Sequence, residues 1–107
     1  MKLILAIVNN DDSSTVLHHI TNEGFFATKL ATTGGFLKAG NTTFIIGTED
    51  ERVETALSII EKYSKKRIQS VPSAEGLDIG VFAPVPIDVS IGGATVFIMD
   101  VGRYEKY

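Results

Sequence analysis

Six apolar residues in succession, Leu3-Ile4-Leu5-Ala6-Ile7-Val8, stand near the start of the chain. A run without alternation reads as a strand buried on both faces, so other layers must cover it on either side. With 107 residues to supply those layers, the chain has enough for one core and too little for two. Residues 1–107 are therefore read as a single domain. The run is far short of the ~20 residues a membrane-spanning helix needs. No leader precedes it, which gives the expectation of a cytoplasmic protein with no membrane partner.

The residues that follow set out the remaining elements. Asn9-Asn10-Asp11-Asp12 is a turn in which Asp11 or Asp12 is expected to cap the next helix. Val16, Leu17 and Ile20 recur at helical spacing, and Gly24 is placed to end that helix. From Phe25 to Thr33 the period becomes two. Phe26, Thr28, Leu30 and Thr32 share one face, and Phe25, Ala27, Lys29, Ala31 and Thr33 the other. Gly34 to Gly40 interrupts, and Thr42 to Gly47 resumes as the second arm of an antiparallel hairpin.

Thr48-Glu49-Asp50-Glu51 fits a capping box, and Val53, Ala56, Leu57, Ile60 and Tyr63 predict an amphipathic helix behind it. Lys62, Lys65, Lys66 and Arg67 are assigned to that helix's C-terminal end. No periodicity survives from about Ser70 to Ala83, which is read as a long loop. Ile87, Val89 and Ile91 then alternate with Asp88 and Ser90, Gly92-Gly93 turns, and Ala94 to Val101 is a final strand. The order β-α-β-β-α-β-β predicts an α+β fold, the ferredoxin-like βαββαβ arrangement with an extra C-terminal strand. Its last strand is apolar on both faces, Phe97, Met99 and Val101 against Val96 and Ile98. A naked second sheet face calls for an oligomer that covers it.

Composition removes several function classes. The chain has no cysteine, so disulfides, thiolate metal sites and thiol catalysis are excluded. A formal net charge of −3 argues against nucleic acid as a partner, since that needs a basic surface. His18 and His19 are adjacent, whereas two metal ligands on one helix face need a spacing of three or four. Glu49-Asp50-Glu51 occupies a first helical turn, where carboxylates complement the helix dipole. No cofactor is implied by any of these groups.

The glycine-rich stretch carries more information. Gly35-Phe36-Leu37-Lys38-Ala39-Gly40-Asn41-Thr42 begins like a phosphate-binding loop, but Asn41 stands where the lysine belongs and the segment joins two strands. Its chemistry is open between two readings. Phe36 offers a ring for a purine to stack on, and Asn41 an amide to read an adenine edge. Alternatively, Phe36 packs on a neighbour and Asn41 serves only the turn.

The segment Ala27-Thr28-Lys29-Leu30-Ala31-Thr32-Thr33-Gly34-Gly35-Phe36-Leu37-Lys38-Ala39-Gly40-Asn41-Thr42-Thr43-Phe44 closely resembles the signature of the bacterial PII-like cyclic-di-AMP receptor proteins. Gly92-Gly93-Ala94-Thr95-Val96-Phe97 and Met1 to Val8 are similar to two further segments of that family. The resemblance implies a homotrimer of PII-like subunits with the nucleotide in clefts between them. It implies that Thr28 meets phosphate, that Phe36 and Leu37 flank an adenine, and that Asn41 reads its edge. Gly47 would contribute backbone, with Gly35 in the loop and the Gly92 turn close by. Phe26 departs from the family, whose members usually carry an arginine there to grip a phosphate.

The reading that results is a non-enzymatic second-messenger receptor, trimeric with itself, whose loops change conformation on binding cyclic-di-AMP and signal to an unknown downstream protein. The alternative is a PII-like regulator that binds another nucleotide or none and acts through protein contacts. A small ferredoxin-like hydrolase would need a convergent base and nucleophile, and the sequence offers no such set.

Overall fold

The computed structural model describes residues 1–30, 40–72 and 86–107. Strand β1 (Lys2–Asn9) leads into helix α1 (Asn10–Asn22), then β2 (Ala27–Leu30) and β3 (Asn41–Thr48). A 3₁₀ turn (Asp50–Arg52) enters helix α2 (Val53–Ser64), followed by β4 (Arg67–Pro72), β5 (Pro86–Ile91) and β6 (Ala94–Asp100).

Strand β1 lies inside a four-stranded antiparallel sheet ordered β2-β3-β1-β6. Its alternate residues part company across the sheet. Ile4, Ala6 and Val8 are fully buried beneath the helices with Phe44 and Ile46 of β3. Val16 and Ile20 of α1 and Val53, Ala56 and Ile60 of α2 close this core from above, so the helical spacing marks the buried faces as expected.

Helix α1 starts and stops by local chemistry. Asn9, and neither Asp11 nor Asp12, is the N-cap, its side chain accepting the Asp11 amide at 2.9 Å. At the other end Gly24 takes φ +88°, its amide donating to Thr21 and that of Phe25 to Ile20. This pair of bonds is a Schellman cap, whose apolar closure is the buried Phe25. The Arg52 guanidinium lies 4.0 Å from the centre of the Phe25 ring and donates to the Glu23 carbonyl, tying the start of α2 to the end of α1.

Three sequence expectations are corrected. The Thr48–Glu51 capping box does not form, because Thr48 is buried as the last residue of β3, paired with Lys2. Arg67 does not belong to α2, which ends at Ser64. It begins β4, an unanticipated strand that pairs with β5 from Arg67↔Ile91 to Pro72↔Pro86. The extra pairing therefore precedes the last strand. The edge of β1 is filled by β6 in the register Leu5↔Phe97, while β4 and β5 form a separate two-stranded sheet. The architecture is a small α+β fold of an antiparallel sheet with two helices, compatible with a PII-like fold.

Candidate functional site

The helices cover one face of the sheet and leave the other open. Strand parity puts Leu3, Leu5 and Ile7 of β1, Ile45 of β3, and Phe97 and Met99 of β6 on that open face. Phe97 and Met99 are 43% and 41% exposed. Contiguous apolar surface of this kind marks an interaction surface. Thr43 sits on the same face between Ile7 and Leu30, buried, and its hydroxyl has no hydrogen-bond partner among the described residues.

The residues singled out by sequence fall into two groups at opposite ends of this face. Thr28 is exposed on β2 opposite Ile45. Phe26 immediately precedes that strand and is 89% exposed. Gly47 lies nearby in β3, opposite Leu3 of β1. Asn41 starts β3, six residues from Gly47, which is about 20 Å along a strand. Gly92 is beside Asn41 on the wall of one cavity. Gly35, Phe36 and Leu37, with Lys38, lie outside the described residues.

Local hydrogen bonds fix the Asn41 end. The Asn10 amide donates to Gly40 at 2.8 Å, and the Thr42 hydroxyl donates to the Asn10 side chain at 2.5 Å. Among the described residues the Asn41 carboxamide itself has no hydrogen-bond partner. Its two donors and its acceptor are available to another molecule. The cavity beside it is about 320 Å³, lined by Ile7, Asn41, Lys66, Gly92, Gly93, Ala94 and Thr95.

The two glycines differ in what they need from the fold. Gly92 has φ +83°, and a Cβ there would lie 2.7 Å from the Arg67 guanidinium and 2.8 Å from the Lys65 carbonyl. Its glycine is required by packing within the chain. A Cβ on Gly47 would meet only Met1, at an ordinary 3.7 Å. No contact among the described residues requires that glycine.

Arg67 anchors the wall from behind. It donates to Asp12 at 2.8 and 3.2 Å and to the Lys65 carbonyl. The hydrogen bond to Asp12, and then the attraction of Asp12 and Asp11, hold the guanidinium above its ordinary pKa. Sequence reading missed Asp12, Lys66, Arg67 and Thr95. The pairing of β4 with β5 was the signal that could have placed them, and the unperiodic stretch after Ser70 concealed it.

His18 and His19 take separate surroundings. His19 stacks on Tyr63 with ring centres 3.7 Å apart, and His18 meets the Asn22 amide at 3.2 Å. Among the described residues no group of three His, Cys, Asp or Glu could hold a metal ion, and no helix is long and apolar enough to cross a membrane.

Comparison with known proteins places this geometry. Residues 1–107 match the model of the family described as cyclic-di-AMP receptor. Among solved structures, the chain is similar to a functionally unknown protein from Pediococcus pentosaceus ATCC 25745, with 40% identity and a TM-score of 0.77. That match covers 99% of this chain and 96% of the other.

Proposed function

Because this chain belongs to the cyclic-di-AMP receptor family, we propose that it is a non-enzymatic, cytoplasmic signalling protein that binds cyclic-di-AMP between the subunits of a homotrimer. The observation that carries this is the separation of Asn41 and Gly47 at the two ends of β3, about 20 Å apart on one open face. Among the described residues the Asn41 amide has no hydrogen-bond partner and a Cβ at Gly47 would meet only Met1. A cleft between two copies lets the Asn41 end of one subunit face the Thr28 and Gly47 end of the next. The exposed Phe97 and Met99, with the half-buried Leu5, give such copies an apolar contact that a monomer would leave in water.

In this reading Thr28 meets a phosphate, Asn41 reads an adenine edge, Phe36 and Leu37 flank the base, and Gly35 belongs to the same ligand-binding segment. Gly47 contributes backbone, and the Gly92 turn lies close by. Binding shifts the population of loop conformations, and the ordered surface changes affinity for a downstream protein. No cofactor takes part.

One observation favours a second reading. Phe26 presents an exposed ring and no charge beside Thr28, so a PII-like regulator that takes another nucleotide, or none, is the alternative. Calorimetric titration with cyclic-di-AMP, cyclic-di-GMP, ATP and AMP decides between them. Selective binding of cyclic-di-AMP is expected. Preference for another of the four, or heat from none, replaces the first reading with the second.

A further inference from the structure

We propose, resting on the reading above, that Lys66 supplies a cation that grips a phosphate of the cyclic dinucleotide. Lys66 lines the cavity of about 320 Å³ that also holds Asn41, Gly92 and Thr95. It therefore stands at the Asn41 end of the site, away from the uncharged Phe26.

Its root is held on both sides. Ser64, two residues before it, accepts a hydrogen bond from the Gly93 amide, which staples the turn before β6 to the end of α2. Arg67, one residue after it, is bound to Asp12 and to the Lys65 carbonyl. A lysine between two such anchors carries its ammonium on a flexible stem from a fixed point at the cavity mouth. Such placement lowers the cost of ordering the side chain on a ligand.

Several of the other described cations are engaged. Lys2, Arg67 and Arg103 each pair with a carboxylate. Arg52 is held by Phe25 and Glu23. Lys29 opposes Phe44, on the helix-covered face of the sheet. Lys65 and Lys66 both line the cleft formed with Leu57, Ile60, Glu61 and Val96, and Lys66 alone of the two also lines the cavity that holds Asn41. Among the described residues no carboxylate pairs with Lys66. A lysine with no carboxylate partner among the described residues, on the wall of a cavity that Thr95 and Asn41 also line, belongs to a donor set suited to a phosphodiester oxygen next to a base.

The test is titration of cyclic-di-AMP into wild type, Lys66→Gln, Lys66→Arg and Lys65→Gln at low and high salt, with melting and sedimentation of the same samples. Lys66 is exposed, so Lys66→Gln is expected to melt and sediment like wild type. It should bind about tenfold or more weakly and lose part of the salt dependence, as for removal of a charged hydrogen bond. Lys66→Arg and Lys65→Gln should stay near wild type. Wild-type binding that Lys66→Gln leaves unchanged, or that Lys65→Gln weakens equally, overturns the Lys66 role and spares the receptor reading. A wild-type protein that does not bind overturns the receptor reading and this role with it.

Discussion

Arg67, the first residue of β4, closes on Asp12 of α1 with two N–H donors, at 2.8 and 3.2 Å, and the Asp12 side chain is only 8% exposed. The pair joins residues 55 apart in sequence. It is the bond that holds the base of the β4–β5 ribbon against the helical layer. The carboxylate is the more sheltered partner, so removal of the guanidinium strands a charge that water reaches poorly. Arg67→Ala is expected to lower the melting midpoint by on the order of 4–8 °C in scanning calorimetry. Asp12→Asn keeps one acceptor and should cost less. Equal midpoints for wild type and Arg67→Ala would show that the ribbon is anchored by the Gly93–Ser64 bond alone.

Thr43 gives the opposite sign. Its hydroxyl is buried without a partner among the described residues, and such a group costs about 1–3 kcal/mol. Thr43→Val keeps the shape and removes the orphan oxygen, so the protein should melt higher by several degrees. If instead the midpoint falls and nucleotide affinity falls with it, the hydroxyl serves the ligand.

Most of the sheet was legible in the residues because parity and burial agree there. Ile4, Ala6 and Val8 alternate with Leu3, Leu5 and Ile7, and Gly92-Gly93 turns with both φ angles positive. Caps were less legible. Asn9, Asp11 and Asp12 are all good N-caps by residue type, and the bond from the Asp11 amide to the Asn9 side chain shows which one serves, while Asp12 is held by Arg67. The β4 strand escaped notice because its basic start continues the polar end of α2, and its pairing partner lies some 20 residues on. For the site, residue types singled out Asn41 and the glycines. Lys66 needed the register of β4 against β5 before it could be placed beside them.

The pairing of β1 with β6 sets a pH effect. Lys2 opposes Asp100 across the ladder and donates to its carboxylate. That hydrogen bond, with the attraction of Asp100 and Asp50, raises the Lys2 pKa above its ordinary 10.5 against the opposing effect of desolvation. A raised value in the folded state means the contribution is complete below pH 10.5 and fades as pH climbs through the folded value. Lys2→Met should therefore melt slightly below wild type at neutral pH, with the gap closing above pH 10.5. Both groups meet solvent, so the gap should be small and should shrink in salt. A gap that widens in alkali contradicts the assignment.

The open face predicts an assembly that one charge can break. Leu5, Phe97 and Met99 line an apolar depression on that face. Met99→Lys leaves the helix-covered core untouched, since Met99 is 41% exposed in the subunit. In a trimer it would bury three lysines against apolar neighbours. Sedimentation equilibrium should show wild type as a trimer and Met99→Lys as a folded monomer with unchanged far-UV circular dichroism. A wild-type monomer at micromolar concentration would remove the trimer, and with it the cleft.

Phe26, just before β2, presents a ring that is 89% exposed. Phe26→Ala should therefore leave the melting midpoint unchanged, which frees any change in binding for interpretation. A phenylalanine can pack on a base or ribose but cannot meet a phosphate with a charged hydrogen bond, which contributes roughly 1.5–3 kcal/mol. In the proposed site such a bond at the Thr28 end would be equivalent to about tenfold to more than a hundredfold in affinity. Phe26→Arg should tighten cyclic-di-AMP binding and steepen its fall with salt. In the Lys66→Gln background the same change should return affinity toward wild type, because each cation would grip a phosphate from its own end of the cleft. Calorimetry on the four proteins of this cycle reads both effects. Affinity that ignores Phe26→Arg in both backgrounds would mean that residue 26 faces away from the ligand. Tightening confined to the wild-type background would mean that the two positions serve the same phosphate.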